Sequence, residues 1–330
     1  MNNICNRLSM KKKAWLGVDI GGTKTAIVLS TEPPAIVTRI EFPTLPEQGP
    51  QRVIDLIKEN VHQVIFSNDC NGQLAAIGIS CGGPLDRISG VIQSPPNLST
   101  WVDIPITSIL QKEFNTECRL ENDANAGAVA EHRFGAGQGV QHMVFLTMGT
   151  GMGAGIIANG SLYHGASDLA GEIGHVRLTR SGPIGHNKAG SVEGWASGGG
   201  MAQVARREVT AAIIKGQKTS LAAPLQTNNG ITAQDIGIAA RNGDELSKRI
   251  IRNTGKRLGE ALAIFVDVLN PERIVIGGLA MRMGEELLAP ARLTMEKESL
   301  CLSYKSCEIV PAGLGEQIGD IAAICVAMGF

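Results

Sequence analysis

The chain contains one pattern twice, and this repetition constrains its fold more than any other feature. Residues 14–30 read AWLGVDIGGTKTAIVLS, which predicts two short apolar strands joined by a glycine-rich turn. Residues 142–165 read HMVFLTMGTGMGAGIIANGSLYHG and repeat the pattern, with Asn159–Gly160 predicting a hairpin after the second strand. One such unit opens each half of the 330-residue chain, which indicates an internal structural duplication.

The segments around these units alternate between strand and helix patterns. A buried strand is predicted in residues 74–81 and another in residues 272–277, each ending in a glycine turn. Apolar residues at helical spacing predict helices in residues 50–67 and 245–270, and helices are also predicted in residues 122–134 and 319–328. Only 4% of the residues are aromatic and 41 are glycine, which favours an α/β enzyme over an all-β sandwich.

The composition excludes several classes of protein. The 30 basic and 31 acidic residues give a net charge of −1, so we expect neither a nucleic-acid partner nor an anionic membrane surface. No apolar run reaches the roughly 18–20 residues that span a bilayer. The N-terminal segment lacks the apolar core and cleavage site of a signal peptide, and Met1 and Met10 are alternative starts. Seven scattered cysteines without a CxxC pair indicate reduced thiols in a cytoplasmic protein.

The first glycine turn has the residue types of a phosphate-binding turn. Asp19 ends the predicted strand, Gly21 and Gly22 follow, and then come Thr23 and Lys24. Glycines let the backbone approach a phosphate and present N–H groups to it, and a neighbouring carboxylate can hold Mg²⁺. The same residues would also suit a simple hairpin whose aspartate caps its own backbone, so the segment alone leaves both interpretations open.

The second turn lies in TMGTGMGAG, residues 147–155. Gly149, Thr150 and Gly151 begin a formal match to the dinucleotide-binding pattern GxGxxG/A, which requires a helix after the turn. The residues that follow Gly155 predict a strand and a hairpin instead. This excludes a Rossmann site and leaves a phosphate turn between two strands.

The segment ENDANAGAVAEH, residues 121–132, places acidic residues before an alanine-rich helix. Asn122 and Asp123 are good N-cap residues, and a cap is the simplest role for them. A carboxylate in this position would also serve as a catalytic base. Taken alone, the segment does not decide between the two roles.

Six segments together resemble the ROK family of bacterial sugar kinases and sugar-responsive repressors, within the actin/hexokinase/Hsp70 ATPase superfamily. They occur in the family's order and are VDIGGTKTAIV, LENDANAGAVAEHRFG, LTMGTGMGAGII, AGEIGHV, EGWASG and NPERIVIGGLA. The resemblance implies an α/β, two-lobed actin-like ATPase (ribonuclease H-like) fold with duplicated mixed sheets flanked by helices. It also implies a small lobe of residues 10–121 and 316–330, a large lobe of residues 122–315, and an active site in the cleft between them.

The resemblance further implies an ATP-dependent, Mg²⁺-requiring hexose kinase with Asp123 as the general base and the sugar's 6-hydroxyl as the expected acceptor. A neutral hydroxyl is a poor nucleophile, so a carboxylate that accepts its proton suits this chemistry. The sugar contacts that the resemblance implies are Gly83, Asn97, Asn122, Asp123, Glu172, His175 and Glu193. ATP and Mg²⁺ would contact Asp19, Gly21, Gly22, Thr23, Lys24, Thr147, Gly149, Thr150, Gly151, Gly277 and Gly278.

The sequence departs from the family at its structural zinc site. Most members bind zinc through the histidine of the GEIGH segment, here His175, and through three cysteines that come just before the glutamate at position 193. The three cysteine positions fall on Ile184, His186 and Ser191. Isoleucine cannot bind zinc and serine is a poor zinc ligand, so we predict no structural zinc.

Two other functions remain as alternatives. A ROK repressor would need a DNA-binding domain of some 60–80 residues before the first turn, and only 18 residues precede Asp19. A catalytically degenerate sugar sensor is the second alternative, against which the intact Asp123 and both glycine turns argue. The family resemblance also implies a homodimer, and neither the sugar nor the phosphoryl donor can be identified from these residues.

Overall fold

The computed structural model describes residues 13–70 and 72–329. The alternative starts Met1 and Met10, and Cys5, lie outside these residues. The first elements are β1 (Ala14–Ile20), β2 (Lys24–Ser30), β3 (Thr38–Pro43), α1 (Pro50–Ser67), β4 (Leu74–Cys81), β5 (Leu85–Asp86), β6 (Val91–Ile92), α2 (Ile106–Phe114), β7 (Cys118–Asn122) and α3 (Asp123–Phe134). The following strands are β8 (Met143–Met148), β9 (Met152–Ala158), β10 (Ser161–Leu162), β11 (Ile184–Gly185) and β12 (Lys188–Ala189).

The remainder of the chain is mainly helical. Its elements are α4 (Val192–Ala196), α5 (Gly198–Ile214), α6 (Ala222–Leu225), α7 (Ala233–Arg241), α8 (Glu245–Leu269), β13 (Arg273–Ile276), α9 (Leu279–Met283), α10 (Glu285–Glu298), α11 (Cys301–Ser306), β14 (Glu308–Pro311) and α12 (Ile318–Met328). The four helices predicted from the sequence are α1, α3, α8 and α12, so these predictions are confirmed. The hairpin predicted at Asn159–Gly160 is also confirmed, because Ala158 pairs with Ser161 across it.

The chain forms two compact units. Among the described residues, one unit comprises the chain up to Ala126 and again from Gln317 onward, and the other is Gly127–Glu316. The first unit has a core of fully buried side chains such as Leu16, Ile77 and Trp101. The core of the second unit lies between its sheet and the buried face of α8. Each unit therefore excludes its own apolar surface from water, which is the main stabilising contribution to folding.

The two units contain sheets of the same topology. The first sheet has the order β3-β2-β1-β4-β7 and the second has the order β10-β9-β8-β13-β14. In both, the first three strands are antiparallel neighbours and the last three are parallel neighbours. The predicted duplication is therefore confirmed, and so is the predicted class of duplicated mixed sheets flanked by helices.

Strand register determines which side chains meet in the first unit. In the parallel strands β1, β4 and β7, Asp19 pairs with Ser80 and Ser80 pairs with Glu121. The carboxyl ends of parallel strands lie at the same edge of a sheet, where α/β proteins commonly bind ligands. Asp19 and the residues just after Cys81 and Asn122 are thereby collected at one edge.

Helix α12 packs closely across β1 and β4 in this unit. A Cβ atom at Gly17 would lie 2.8 Å from Ala323 Cβ, so the absence of a side chain lets the helix approach the sheet. This close packing brings the first turn of α12 to the edge where Asp19 lies.

Two structural features bear on the class of protein. No helix within residues 13–70 and 72–329 has the length and apolarity that crossing a membrane requires. None of the cysteines in these ranges forms a disulfide, and Cys70 and Cys81 are buried.

Candidate active site

The first glycine turn joins β1 to β2 and is fixed through its carbonyl groups. The Gly21 N–H donates to the Lys24 carbonyl at 3.0 Å, which closes the turn. Thr44 donates twice, from its hydroxyl to the Gly21 carbonyl at 2.7 Å and from its N–H to the Thr23 carbonyl at 3.0 Å. Because the carbonyl groups are held from one side, the turn has a defined shape, as a phosphate-binding turn requires.

Asn97 lies against this turn, as part of a short 3-10 helix anchored by the buried Leu98. A Cβ atom at Gly22 would lie 2.6 Å from Asn97 Cβ, so only glycine fits at this position. The structure thus brings together a predicted sugar contact, Asn97, and a predicted phosphate contact, Gly22.

Asp19 lies beside the turn and is partly buried. Burial raises its pKa to about 7, the negative charges of Asp123 and Asp320 add to the increase, and a hydrogen bond from Ser80 opposes it. On α12, Gly319 packs directly against Asp19 Oδ2, where a Cβ atom would clash. Carboxylate oxygens are ligands that Mg²⁺ prefers, so Asp19 is the residue here that could hold the ion, directly or through water.

Sequence reasoning did not identify the charged residues around this carboxylate. Arg39 donates from Nε to Asp320 Oδ2 at 2.7 Å and from Nη2 to Glu41 at 2.5 Å. Glu41 also accepts from the Lys24 ammonium at 2.9 Å. Lys24, which the sequence predicted to contact the phosphates, is therefore held in an ion pair. Arg39 and Asp320 are 281 residues apart, and no local pattern in the sequence could have linked them.

Asp123 is the first residue of α3, and its side chain is exposed. The Ala124 N–H lies 2.8 Å from Asp123 Oδ1 and 3.0 Å from Asn122 Oδ1. The buried Glu121 accepts from the Asn122 N–H at 2.9 Å and from Asn125 Nδ2 at 3.0 Å. The capping contacts that the sequence predicted are therefore present, and they leave the Asp123 carboxylate at the protein surface.

The glycines after β4 lie next to the start of α3. A Cβ atom at Gly83 would lie 3.2 Å from Asn122 Nδ2, and one at Gly82 would lie 3.9 Å from Asp123 Oδ2. Three residues with predicted roles, Gly83, Asn122 and Asp123, are thus neighbours at the same sheet edge as Asp19.

The second glycine turn joins β8 to β9 and is held by the start of α5. The Gly149 N–H donates to the Gly151 carbonyl at 3.0 Å. The Gly198 N–H donates to the Gly149 carbonyl at 2.8 Å, and the Gly199 N–H donates to the Thr150 carbonyl at 3.0 Å. As in the first unit, the carbonyl groups of the turn are fixed by hydrogen bonds. Thr147, also a predicted contact, pairs with Gly153 across the two strands.

Gly277 and Gly278 follow β13 and lie beside the end of β8. The Gly277 N–H donates to the Leu146 carbonyl at 2.9 Å. Gly278 has φ +68°, and a Cβ atom there would clash with the Met148 carbonyl, so glycine is required on both counts. The predicted adenosine contacts are therefore neighbours of the second glycine turn.

Glu193, on α4, contacts the second turn directly. The Met152 N–H donates to Glu193 Oε2 at 3.0 Å, and a Cβ atom at Gly151 would lie 2.8 Å from the same oxygen. The sequence assigned Glu193 to the sugar alone. The structure places one of its carboxylate oxygens at the predicted phosphate turn, so this residue connects the two predicted groups.

Glu172 precedes a short 3-10 turn, Ile173–His175, and His175 ends it; both side chains are exposed. A Cβ atom at Gly174 would lie 3.4 Å from Glu193 Cβ, which places this turn next to α4. Three predicted sugar contacts are thus close together in the second unit.

The residues at the family's zinc positions do not fit a structural zinc site. The side chain of Ile184 carries no atom that can bind a metal and is 55% exposed. Ser191 is buried, and its hydroxyl already accepts a hydrogen bond from the Gly194 N–H. The rings of His175 and His186 meet edge to face with centroids 6.1 Å apart. Within the described ranges, no group of three or more histidine, cysteine, aspartate or glutamate side chains is arranged to hold a metal ion.

Known proteins resemble this chain over nearly its whole length. The family model described as ROK family matches residues 15–328. The glucokinase of Halalkalibacterium halodurans is 32% identical over 315 residues, 94% of this chain and 94% of that protein. A ROK family glucokinase from Streptomyces griseus, solved in complex with glucose and AMPPNP, has a TM-score of 0.77 and 29% identity, covering 96% of this chain and 99% of that one. A xylose repressor of Caldicellulosiruptor bescii is 27% identical over 95% of this chain and 77% of the repressor.

Proposed function

Because the chain belongs to the ROK family, we propose that it is an ATP-dependent sugar kinase that phosphorylates a hexose or a hexose derivative. The observation that carries this proposal is the exposed Asp123 carboxylate, fixed at the start of α3 at the same sheet edge as Asp19 and the first glycine turn. Glucose and ATP are the first substrates to test, since the glucokinase from Streptomyces griseus was solved with glucose and AMPPNP.

The two glycine turns, Gly21–Thr23 and Gly149–Gly151, would bind the phosphates of ATP through backbone N–H groups, with the adenosine near Gly277 and Gly278. Mg²⁺ held near Asp19 would supply positive charge that neutralises the phosphates during transfer. The rigid anchoring of each turn, by Thr44 in one unit and by the start of α5 in the other, supports this assignment. A preorganised turn avoids the cost of ordering the backbone when the nucleotide binds.

Asp123 would act as the general base. It would accept the proton of the attacking hydroxyl while the oxygen forms its bond to the γ-phosphorus atom and the bond to the β–γ bridging oxygen breaks. Its contact with the Ala124 N–H holds the carboxylate in place at the start of the helix while leaving it exposed to an incoming hydroxyl. The cap and the base are therefore compatible roles of one residue.

Asn97, Asn122 and Gly83 in the first unit, and Glu172, His175 and Glu193 in the second, would bind the remaining sugar hydroxyls. Carboxylate, amide and imidazole groups suit this task because each hydroxyl both donates and accepts. With the ring oriented in this way, the 6-hydroxyl would be the acceptor. A 6-deoxyhexose should then bind as a competitive inhibitor and receive no phosphate, whereas its phosphorylation would exclude this acceptor.

A coupled assay for ADP, run with the purified protein over a panel of hexoses and N-acylated hexosamines, tests the proposal. We expect one or a few sugars to stimulate ATP turnover at least tenfold, and EDTA to abolish the stimulation because Mg²⁺ is required. If sugars raise the melting temperature and none stimulates turnover, the protein is a sugar sensor. The similarity to a xylose repressor makes this the second candidate.

The homodimer, the cytoplasmic location and the absence of nucleic-acid and membrane partners stay predictions. Gel filtration with light scattering tests the first of them.

A further inference from the structure

Residues 176–191, which we call the cross-linked segment, lie between two predicted sugar contacts, His175 and Glu193. In this chain the segment carries Ile184, His186 and Ser191 in place of the family's zinc-binding cysteines. Its middle forms a small hairpin, β11 and β12, with His186 and Asn187 at positive φ in the turn. A hairpin of two-residue strands has too few hydrogen bonds to be stable alone, so other contacts must hold it.

Gln203, on α5, supplies the first of these contacts. Its carboxamide oxygen accepts from the Ile184 N–H at 2.9 Å, and its carboxamide nitrogen donates to the Ile184 carbonyl at 2.8 Å. One side chain thus binds both backbone groups of a residue that stands at a zinc-cysteine position. The pair of bonds extends the edge of β11 onto a helix that the core already fixes.

Ser191 supplies the second contact and is fully buried. Its hydroxyl accepts from the Gly194 N–H at 3.1 Å, which caps α4, and donates to the Gly185 carbonyl at 3.4 Å. A second zinc-cysteine position is therefore used to join the hairpin to the start of α4, the helix that carries Glu193.

Other contacts close the segment on itself. Trp195 Nε1 donates to Thr179 Oγ1 at 2.7 Å, and the Val192 N–H donates to the Val176 carbonyl at 2.8 Å. Lys188 Nζ donates to the carbonyl of His175 at 2.7 Å. Both ends of the segment are thereby tied to the residues that flank the predicted sugar contacts.

We propose that Gln203 and Ser191 cross-link this segment in place of a bound metal ion, and that they are positioning residues for His175 and Glu193. The cross-link itself is independent of the reaction, and only its effect on sugar binding rests on the proposed kinase activity. The cross-link should also affect the second glycine turn, because Glu193 Oε2 accepts from the Met152 N–H beside that turn. Loosening the segment should therefore disturb sugar binding first and the turn second.

The first test measures the cross-link without using activity. Amide hydrogen exchange of peptides covering residues 176–195 is compared between the wild type, Gln203→Met and Ser191→Ala. Methionine keeps the approximate shape of glutamine and makes neither hydrogen bond. Arg207→Ala, at an exposed position one turn further along α5, is the matched control. We expect about tenfold faster exchange in both variants and no change in the control, since losing two neutral hydrogen bonds shifts a local opening equilibrium by about this factor.

Zinc analysis of the purified wild type completes this test. We expect far less than one zinc per chain, and we expect phenanthroline to leave the exchange of the segment unchanged. Stoichiometric zinc, or faster exchange after chelation, would overturn the proposal. Wild-type exchange rates in both variants would also overturn it, and if one variant fails to fold the other decides.

The second test asks whether the cross-link positions the sugar contacts. With an accepted sugar, Gln203→Met should raise the KM for the sugar several-fold and change kcat less than about threefold, because a less firmly held segment leaves His175 and Glu193 to be ordered when the sugar binds. A parallel fall in kcat with unchanged KM would contradict the positioning role. If no sugar is phosphorylated at all, the proposed function fails while the exchange and zinc results still decide the cross-link.

Discussion

Replacing Asp19 with asparagine should stabilise the protein at alkaline pH and leave its stability at acidic pH nearly unchanged. Burial and the charges of Asp123 and Asp320 raise the pKa of Asp19 from 3.8 to about 7. The folded state therefore binds this proton more tightly than the unfolded chain. A group of this kind makes the protein less stable as pH rises from the unfolded pKa to the folded one. Asparagine cannot ionise, so it removes this loss of stability.

The magnitude follows from the shift of about 3 pKa units. Roughly two of these units are realised between about pH 5 and about pH 8, and each is worth about 1.4 kcal/mol. The resulting change in the free energy of unfolding is about 2–3 kcal/mol, and it is an upper limit because Asp19 is in partial contact with solvent. For a domain of ordinary size this corresponds to a rise in melting temperature on the order of 5 °C at about pH 8 relative to about pH 5.

The assay is thermal unfolding in EDTA, without nucleotide, so that cation binding does not mask the effect. Asp123→Asn should remove part of the same pH dependence, because its charge is the largest electrostatic contribution after burial. Asp55→Asn on α1, whose carboxylate accepts from Gln51 at 2.8 Å, is the control and should leave the pH dependence unchanged. A difference between Asp19→Asn and the wild type that is the same at both pH values would refute this reasoning.

Two further substitutions test the geometry around the turns. Gly319→Ala should displace the Asp19 carboxylate, which contacts Gly319, and so raise the Mg²⁺ concentration for half-maximal activity several-fold in a titration; an unchanged titration would contradict the contact. Gly278→Ala should cost about 1–3 kcal/mol of stability, since the residue has φ +68° and a Cβ atom there would clash with the Met148 carbonyl; urea unfolding measures this, and a loss below about 0.5 kcal/mol would contradict it.

The sequence predicted the family and the actin-like ATPase fold correctly because both depend on local patterns. The two strand–turn–strand units each lie within 24 consecutive residues or fewer, and their repetition indicated the duplicated sheets. The position of Asp19 near the end of its strand also follows from an apolar run that is visible in the sequence. Local patterns of this kind do not depend on the rest of the fold.

Helix α5 shows why other parts were missed. It begins with Gly198, Gly199 and Gly200, residues that disfavour helix, and so no helix was predicted there. The structure gives the reason for them, since a Cβ atom at Gly198 or at Gly199 would lie 2.9 Å from a carbonyl oxygen of the second glycine turn. A requirement for close approach to a distant segment overrides local propensity, and a single sequence does not reveal it.

The surroundings of Asp19 were missed for a similar reason. Asp320 and Gly319 lie near it, and Arg39 pairs with Asp320, only because α12, at the end of the chain, packs on β1 and β4 near its beginning. The role of Glu193 was incomplete because its contact with Met152 depends on where α4 lies against β9. Residue roles that depend on long-range packing require the structure.

The central claim is that Asp123 is the base of a sugar kinase, and the turnover of Asp123→Asn with an accepted sugar tests it most directly. Asparagine keeps the size of the side chain and an oxygen that accepts from the Ala124 N–H, so we expect the variant to fold normally. Its dissociation constant for the sugar should stay within about threefold of the wild-type value. We expect kcat to fall by about 10²–10⁴, the usual contribution of a general base. Turnover near the wild-type value, with the sugar still bound normally, would contradict the account.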